Sequence, residues 1–163
     1  MGKENFRLAK PADLNEIEKI YEQARQFMIR SGNPTQWVSG YPQRDLLEED
    51  IQRGQLYVAE DDQAIYGVFM FALGEDETYG YIEDGCWLSD MPYGTIHRIA
   101  SDGSGGILRT AVEFCKKLSN HIRIDTHHDN VVMHNAVAKL GFVRSGIIHL
   151  ANGSPRIAYE LNL

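Results

Sequence analysis

Between residues 13 and 30 apolar positions recur at steps of three and four: Leu14, Ile17, Ile20, Tyr21, Ala24 and Phe27, with charges between them. That period predicts an amphipathic helix, stopped by Ser31-Gly32-Asn33-Pro34. A shorter helix is expected over 44–52, ending near Gly54. A third is expected over 107–118, with Ile107, Leu108, Ala111, Cys115 and Leu118 on one face, and a fourth over 131–140, with Gly141 placed for a left-handed cap. Strand-like runs lie at 5–9, 56–60, 64–73, 95–100, 121–125, 142–150 and 156–161. Asp61-Asp62-Gln63 and Asn152-Gly153 mark hairpin turns. Residues 36–41 read as a loop holding Trp37, and 75–94, with Trp87, three tyrosines and many acids, fits neither period.

The order β-α-α-β-β-β-α-β-α-β-β has a hairpin-like first half, one parallel βαβ crossover and a closing hairpin. The fold class is therefore α+β: a mixed, mostly antiparallel sheet with a central parallel crossover, flanked by about four helices.

The length of 163 residues fits one domain, 1–163. A domain of this size buries roughly 70% of its unfolded surface and needs neither disulfide nor metal to hold a core. Sixteen basic against 23 acidic residues give a net charge of −7, which argues against nucleic acid as a partner. No apolar run approaches the roughly 18 residues of a membrane span, and the polar start Met1-Gly2-Lys3-Glu4-Asn5 is unlike a signal peptide. The only cysteines are Cys86 and Cys115, with no CxxC pair, so a reduced, cytoplasmic setting is expected.

The densest chemistry follows the strand at 96–100: the turn Asp102-Gly103-Ser104-Gly105-Gly106, then a helix. Glycines let backbone N–H groups converge, and a helix start adds partial positive charge, so such a turn suits a phosphate or pyrophosphate. It also serves any change of chain direction. A nucleoside-triphosphate loop is excluded because no Gly-Lys-Ser/Thr follows. A dinucleotide site gains from Asp125, about twenty residues on, but its third glycine would fall on Leu108 and no further βαβ units follow. A third candidate is the pyrophosphate of coenzyme A, which the following resemblance implies.

The strand at 96–100, the turn through Gly106, Ile122-Arg123-Ile124-Asp125, the helix start Asp129-Asn130 and the helix end Lys139-Leu140-Gly141-Phe142 together resemble the GCN5-related N-acetyltransferases (GNAT). The resemblance spans roughly residues 5–162. Through Gln36-Trp37, Gly40-Tyr41-Pro42, Asp50-Ile51, His97-Arg98-Ile99-Ala100, Arg123-Ile124-Asp125-Thr126-His127 and Ser154-Pro155-Arg156-Ile157-Ala158 it extends to small bacterial members. It implies acetyl-CoA as acyl donor and direct attack by a primary amine of a small molecule or peptide. Backbone N–H groups of the strand 98–101 would hold the acetyl oxygen, Ile99 and Ala100 acting through backbone, and Ser101 belongs to the cofactor-binding set. The family's Gln/Arg-x-x-Gly-x-Gly/Ala motif lacks its basic residue here, which falls on Ala100 or Gly103 according to register. The pyrophosphate is then expected on the amides of Gly103, Ser104, Gly105, Gly106, Ile107 and Leu108, with Arg109 beside them. Asn130 matches the family's pantetheine-binding asparagine, and is equally suited to cap a helix.

A base must take the amine's proton. His97 lies on the expected strand, with Arg98 expected on the opposite face, and Glu83 and Asp84 are acidic rivals. The family's acid position falls on Val137, which cannot donate, and His134 stands one turn earlier. Trp37, Tyr41, Tyr81 and Trp87 lie where the family builds its acceptor wall, and Glu83 would favour a cationic amine. His127-His128-Asp129 are adjacent at a strand end, where side chains are expected to point apart, so no metal is expected. A coenzyme-A-binding regulatory module with little or no turnover is the alternative function and a dinucleotide-binding domain the third, and exposed C-terminal strands leave a homodimer open.

Overall fold

The computed structural model describes residues 5–38, 40–62 and 64–163. The early residues Met1 to Glu4 and Gln63 of the first expected hairpin turn lie outside the described residues. In chain order the elements are β1 (Asn5–Leu8), α1 (Leu14–Arg30), α2 (Arg44–Gln52), β2 (Leu56–Glu60), β3 (Ile65–Leu73), β4 (Gly94–Ser101), α3 (Ile107–Cys115), β5 (His121–Thr126), α4 (Val131–Lys139), β6 (Val143–His149) and β7 (Pro155–Asn162). The strands form one sheet in the order β1-β2-β3-β4-β5-β7-β6, with β4 and β5 parallel. This is the α+β arrangement that the sequence pattern implies. Most boundaries shift by one residue, and that of α3 shifts by three. Helix α3 stops at Cys115, where Leu118 N–H turns back to the Cys115 carbonyl at 2.9 Å, so Leu118 is exposed and does not extend the apolar face. No helix among the described residues is long and apolar enough to cross a membrane.

Contacts divide the chain into two units, one reaching Phe71 and taking in His97–Phe114, the other formed by Ala72–Ile96 and Cys115–Leu163. In the first, β1, β2 and β3 are antiparallel and α1 buries Leu14, Ile17, Ile20 and Tyr21. Beside its aliphatic core lies an aromatic cluster. Tyr57 stacks on Phe69 at 5.4 Å, and Phe114 meets Tyr57 and Phe6 at 5.2 Å each, which seats α3 on the sheet.

In the second unit β7 lies between β5 and β6, antiparallel to both. The aperiodic stretch at 75–93 is held over a buried polar face of β5 and β7. Tyr79 hydroxyl donates to Asp125 at 2.7 Å, Leu88 N–H to Glu160 at 2.6 Å, and Arg123 to the Ser89 carbonyl at 2.9 Å. The Arg123 guanidinium lies 3.8 Å from the Trp87 ring centre and 3.9 Å from that of Tyr93. A two-residue bridge, Glu83 with Ile147, fastens the stretch to β6. Gly85 and Gly146 permit that approach, since a Cβ on Gly146 would stand 2.6 Å from the Glu83 carbonyl oxygen.

Candidate functional site

Strand β4 keeps parallel register with β5 from Gly94↔Ile122 to Ile96↔Ile124 and then runs on to Ser101. Two residues past the last pair, Arg98 has φ 52. A non-glycine residue there is uncommon, because the left-handed region crowds Cβ. Arg98 is held by contacts from three other segments. Its Nε and Nη2 donate to Asp50 Oδ2 of α2 at 3.1 and 2.6 Å. Its Nη1 reaches the Tyr41 hydroxyl at 3.4 Å, and its carbonyl accepts the Tyr21 hydroxyl of α1 at 2.7 Å.

Only 12% of the Arg98 side chain and 5% of the Asp50 side chain are exposed, so the pair is out of reach of most solvent screening. Burial pushes the Asp50 carboxyl above its ordinary value, against the pull of Arg98 and His97. Burial also opposes the Arg98 cation, yet Tyr41 and Asp50 outweigh it and hold the guanidinium above its usual range. The expected alternation of His97 and Arg98 presumes extended backbone at both residues, and Arg98 departs from it. His97 is half-buried.

Asp102 N–H, bonded to the Tyr66 carbonyl at 3.0 Å, ends the strand. The turn beyond is exposed, and Gly103, Gly105 and Gly106 take φ values of 96, 81 and 78. All three need the freedom that a missing Cβ gives. Two turn amides are already engaged: Gly103 N–H with the Ser101 hydroxyl at 3.3 Å, and Ser104 N–H with Asp102 Oδ1 at 2.9 Å. Ile107 opens α3, Leu108 is buried and Arg109 is exposed. Half-buried Ile99, buried Ala100 and half-buried Ser101 complete the strand end.

The same unit brings Trp37 and Tyr41 together, 6.3 Å between ring centres, and sets Trp37 5.6 Å from Tyr21. Arg25 anchors this loop through the Tyr41 carbonyl at 3.0 Å. Of the residues expected at the acceptor wall in the second unit, Trp87 is half-buried, donating to the Tyr79 carbonyl at 2.9 Å. Exposed Glu83 faces His149 at 2.6 Å and Tyr81 at 3.3 Å. Its contact with His149 raises that imidazole above its ordinary value.

Asn130 caps α4. Its Oδ1 accepts Met133 N–H and its Nδ2 donates to Thr126 Oγ1, both at 3.1 Å. His134 lies 2.6 Å from the Tyr159 hydroxyl through Nδ1 and 3.1 Å from the His128 carbonyl through Nε2. A carbonyl only accepts, so this network assigns the proton to Nε2 and makes Nδ1 the acceptor of the Tyr159 proton. Val137 is fully buried. His127 and His128 do not point apart: their rings stack at 4.6 Å, and with Asp129 they offer ligand atoms within 4.8 Å of one another. His127 Nδ1 already accepts Asp129 N–H at 3.1 Å, which turns the ring back over the loop. Burial, then Arg156, lowers the His127 pKa.

The sequence assigns no site role to Asp50, Tyr21 or Tyr159. Asp50 carries a readable signal, since it lies three residues after buried Leu47 on α2. An acid on a buried helix face calls for a cation. The signal for Tyr159 is only strand alternation.

No protein-family model matches the chain, and no curated protein sequence does. Solved structures do. A GNAT-family acetyltransferase of Streptococcus agalactiae is 31% identical with a TM-score of 0.87, over 98% of this chain and 95% of that one. One from Listeria monocytogenes matches at 21% identity and TM-score 0.73, over 98% and 95%. A ribosomal-protein-alanine N-acetyltransferase of Brucella melitensis shares the fold at 17% identity and TM-score 0.61, over 98% and 99%.

Proposed function

The chain belongs to the GNAT family of acetyltransferases, and on that premise we propose that it moves the acetyl group of acetyl-CoA to a primary amine of a small molecule or peptide, in a ternary complex and as a single catalytic domain. One observation carries the donor: directly after β4, Gly103, Gly105 and Gly106 all hold positive φ and lead into the start of α3. The amides of Gly105, Gly106, Ile107 and Leu108 are assigned to the pyrophosphate, with Arg109 supplying charge from the exposed side of α3. Gly103 and Ser104 join them once ligand competes with Ser101 and Asp102 for their N–H groups.

At the reacting end, the backbone N–H groups of Ile99 and Ala100 stabilise the oxygen of the thioester carbonyl as it gains charge. The neutral amine attacks the carbonyl carbon, the C–S bond breaks, and the pair of electrons leaves on sulfur. His97 takes the proton that the nitrogen sheds. The thiolate then takes a proton from water, since Val137 has none to give and the His134 proton is directed at the His128 carbonyl. Trp37 and Tyr41 form the acceptor wall in the first unit. Asn130 acts as the cap of α4, with both ends of its amide used inside the protein.

The test is thiol release from acetyl-CoA with a panel of primary amines. His97→Ala is expected to lower turnover about 10²-fold or more at neutral pH, and unchanged turnover removes His97 from the reaction. A second reading, a coenzyme-A-binding module without turnover, is favoured by buried Val137 at the acid position. It predicts thermal stabilisation by acetyl-CoA with no thiol released for any amine.

A further inference from the structure

We propose that Tyr21 and Arg98 are positioning residues that aim the Ile99 N–H of β4, with Arg98 locked in its left-handed conformation by Asp50. The inference rests on the acyl-transfer reading, in which that N–H meets the acetyl oxygen. The Arg98 carbonyl and the Ile99 N–H belong to one planar trans peptide and point in opposite directions. The Tyr21 hydroxyl, 2.7 Å from the Arg98 carbonyl oxygen, fixes that plane from the carbonyl side and so fixes the direction of the N–H. Tyr21 itself is 1% exposed and rooted in α1, so its hydroxyl has little freedom to follow a shifting strand.

The φ of 52 at Arg98 supplies the other half. It turns the chain out of the plain extended geometry at the residue before the N–H concerned. Glycine holds such a φ without steric cost, and an arginine does not. A strained conformation at a side chain this large persists only where surroundings over-determine it. Here they do: Asp50 takes Nε and Nη2, and Tyr41 takes Nη1. The guanidinium contacts and the carbonyl contact come from different segments, so the residue is gripped at both ends. If filling space were the whole of its role, an ordinary β conformation would serve and the strain would be idle.

Two variants separate positioning from mere support. Arg98→Gly and Arg98→Ala lose the same ion pair, but only glycine accepts the left-handed φ freely. Arg98→Gly is expected to keep about tenfold more kcat than Arg98→Ala, with the two sharing one KM for acetyl-CoA. Equal kcat, or Ala above Gly, overturns the proposal. Tyr21→Phe keeps the ring and removes the hydroxyl. It should lower kcat about tenfold, short of the 10²–10³ that follows loss of an oxyanion donor outright, while acetyl-CoA affinity by calorimetry holds. Wild-type kcat in Tyr21→Phe also overturns it. Amide hydrogen exchange at Ile99 reads the same device without turnover: faster exchange in Tyr21→Phe than in wild type supports it, and unchanged exchange sinks it. Absence of acetyl-CoA turnover in the wild type would defeat the acyl-transfer reading instead, and the exchange measurement would still decide the clamp.

Discussion

Asp50 and Glu160 are both buried carboxylates, 4% and 1% exposed, one in each unit, and their surroundings treat them in opposite ways. Asp50 meets a cation, Arg98, and burial still leaves its pKa raised. Burial opposes the charge of Glu160 too. There the Leu88 N–H at 2.6 Å, the Ser145 hydroxyl at 2.7 Å, the Asn162 amide at 3.2 Å and the His121 ring at 3.0 Å outweigh it, and the carboxyl sits below its ordinary value. The donors around Glu160 thus outweigh its burial, whereas the cation beside Asp50 does not outweigh the burial of Asp50. The difference suits the two places. Glu160 nails an otherwise irregular stretch to the sheet. Asp50 grips a strained backbone residue beside the proposed reacting atoms, where some strain is retained.

Removing Glu160 should break the comparison most severely. Glu160→Ala leaves a buried N–H, a hydroxyl and an imidazole without their acceptor, and it is expected to cost about 3–5 kcal/mol in urea denaturation. Glu160→Gln, which keeps one acceptor oxygen and the volume, should cost clearly less. Equal losses would mean that packing rather than hydrogen bonding sets the effect.

Acid sharpens the contrast. A carboxyl whose folded pKa is depressed contributes stability that is present above its unfolded value and is lost as pH falls through the folded value. That is the case of Glu160, whose ordinary value is 4.5. Asp50 has the opposite sign: its raised folded pKa favours the folded state at low pH and withdraws that support as pH rises. Below about pH 4.5 the amides of residues 87–89 should therefore lose exchange protection before those of α2. The reverse order, read by hydrogen exchange across a pH series, would contradict this assignment of the two acids.

The smallest effect belongs to His149. Glu83 raises its pKa, so the tie between them is complete below the ordinary histidine value and fades as pH climbs through the raised one. Proton NMR should show the His149 titration moving down toward the ordinary value in Glu83→Gln. An unmoved midpoint would remove Glu83 as the cause.

Much of the fold was legible because burial on one face leaves a period. Helices α1 and α2 and strands β2 and β5 lie close to where apolar spacing places them. The stretch at 75–93 was not legible, since its order comes from Asp125, Arg123 and Glu160, far along the chain, rather than from a ladder of its own. The glycine turn could be located from composition, as could the helix behind it. The left-handed Arg98 could not, because His-Arg-Ile reads as ordinary strand and φ is settled by partners on α1 and α2. His127 and His128 misled for a related reason. Alternation holds along a strand, and their rings stack just past the end of β5.

The central claim is that acetyl-CoA lies along the end of β4 and the glycine turn. Following backbone amide resonances during an acetyl-CoA titration tests it directly. The account predicts saturable shifts at Ile99, Ala100, Gly105, Gly106 and Ile107, with the amides of β1 and β2 unmoved. Absence of shifts, or shifts that saturate elsewhere while the glycine turn stays silent, would contradict it.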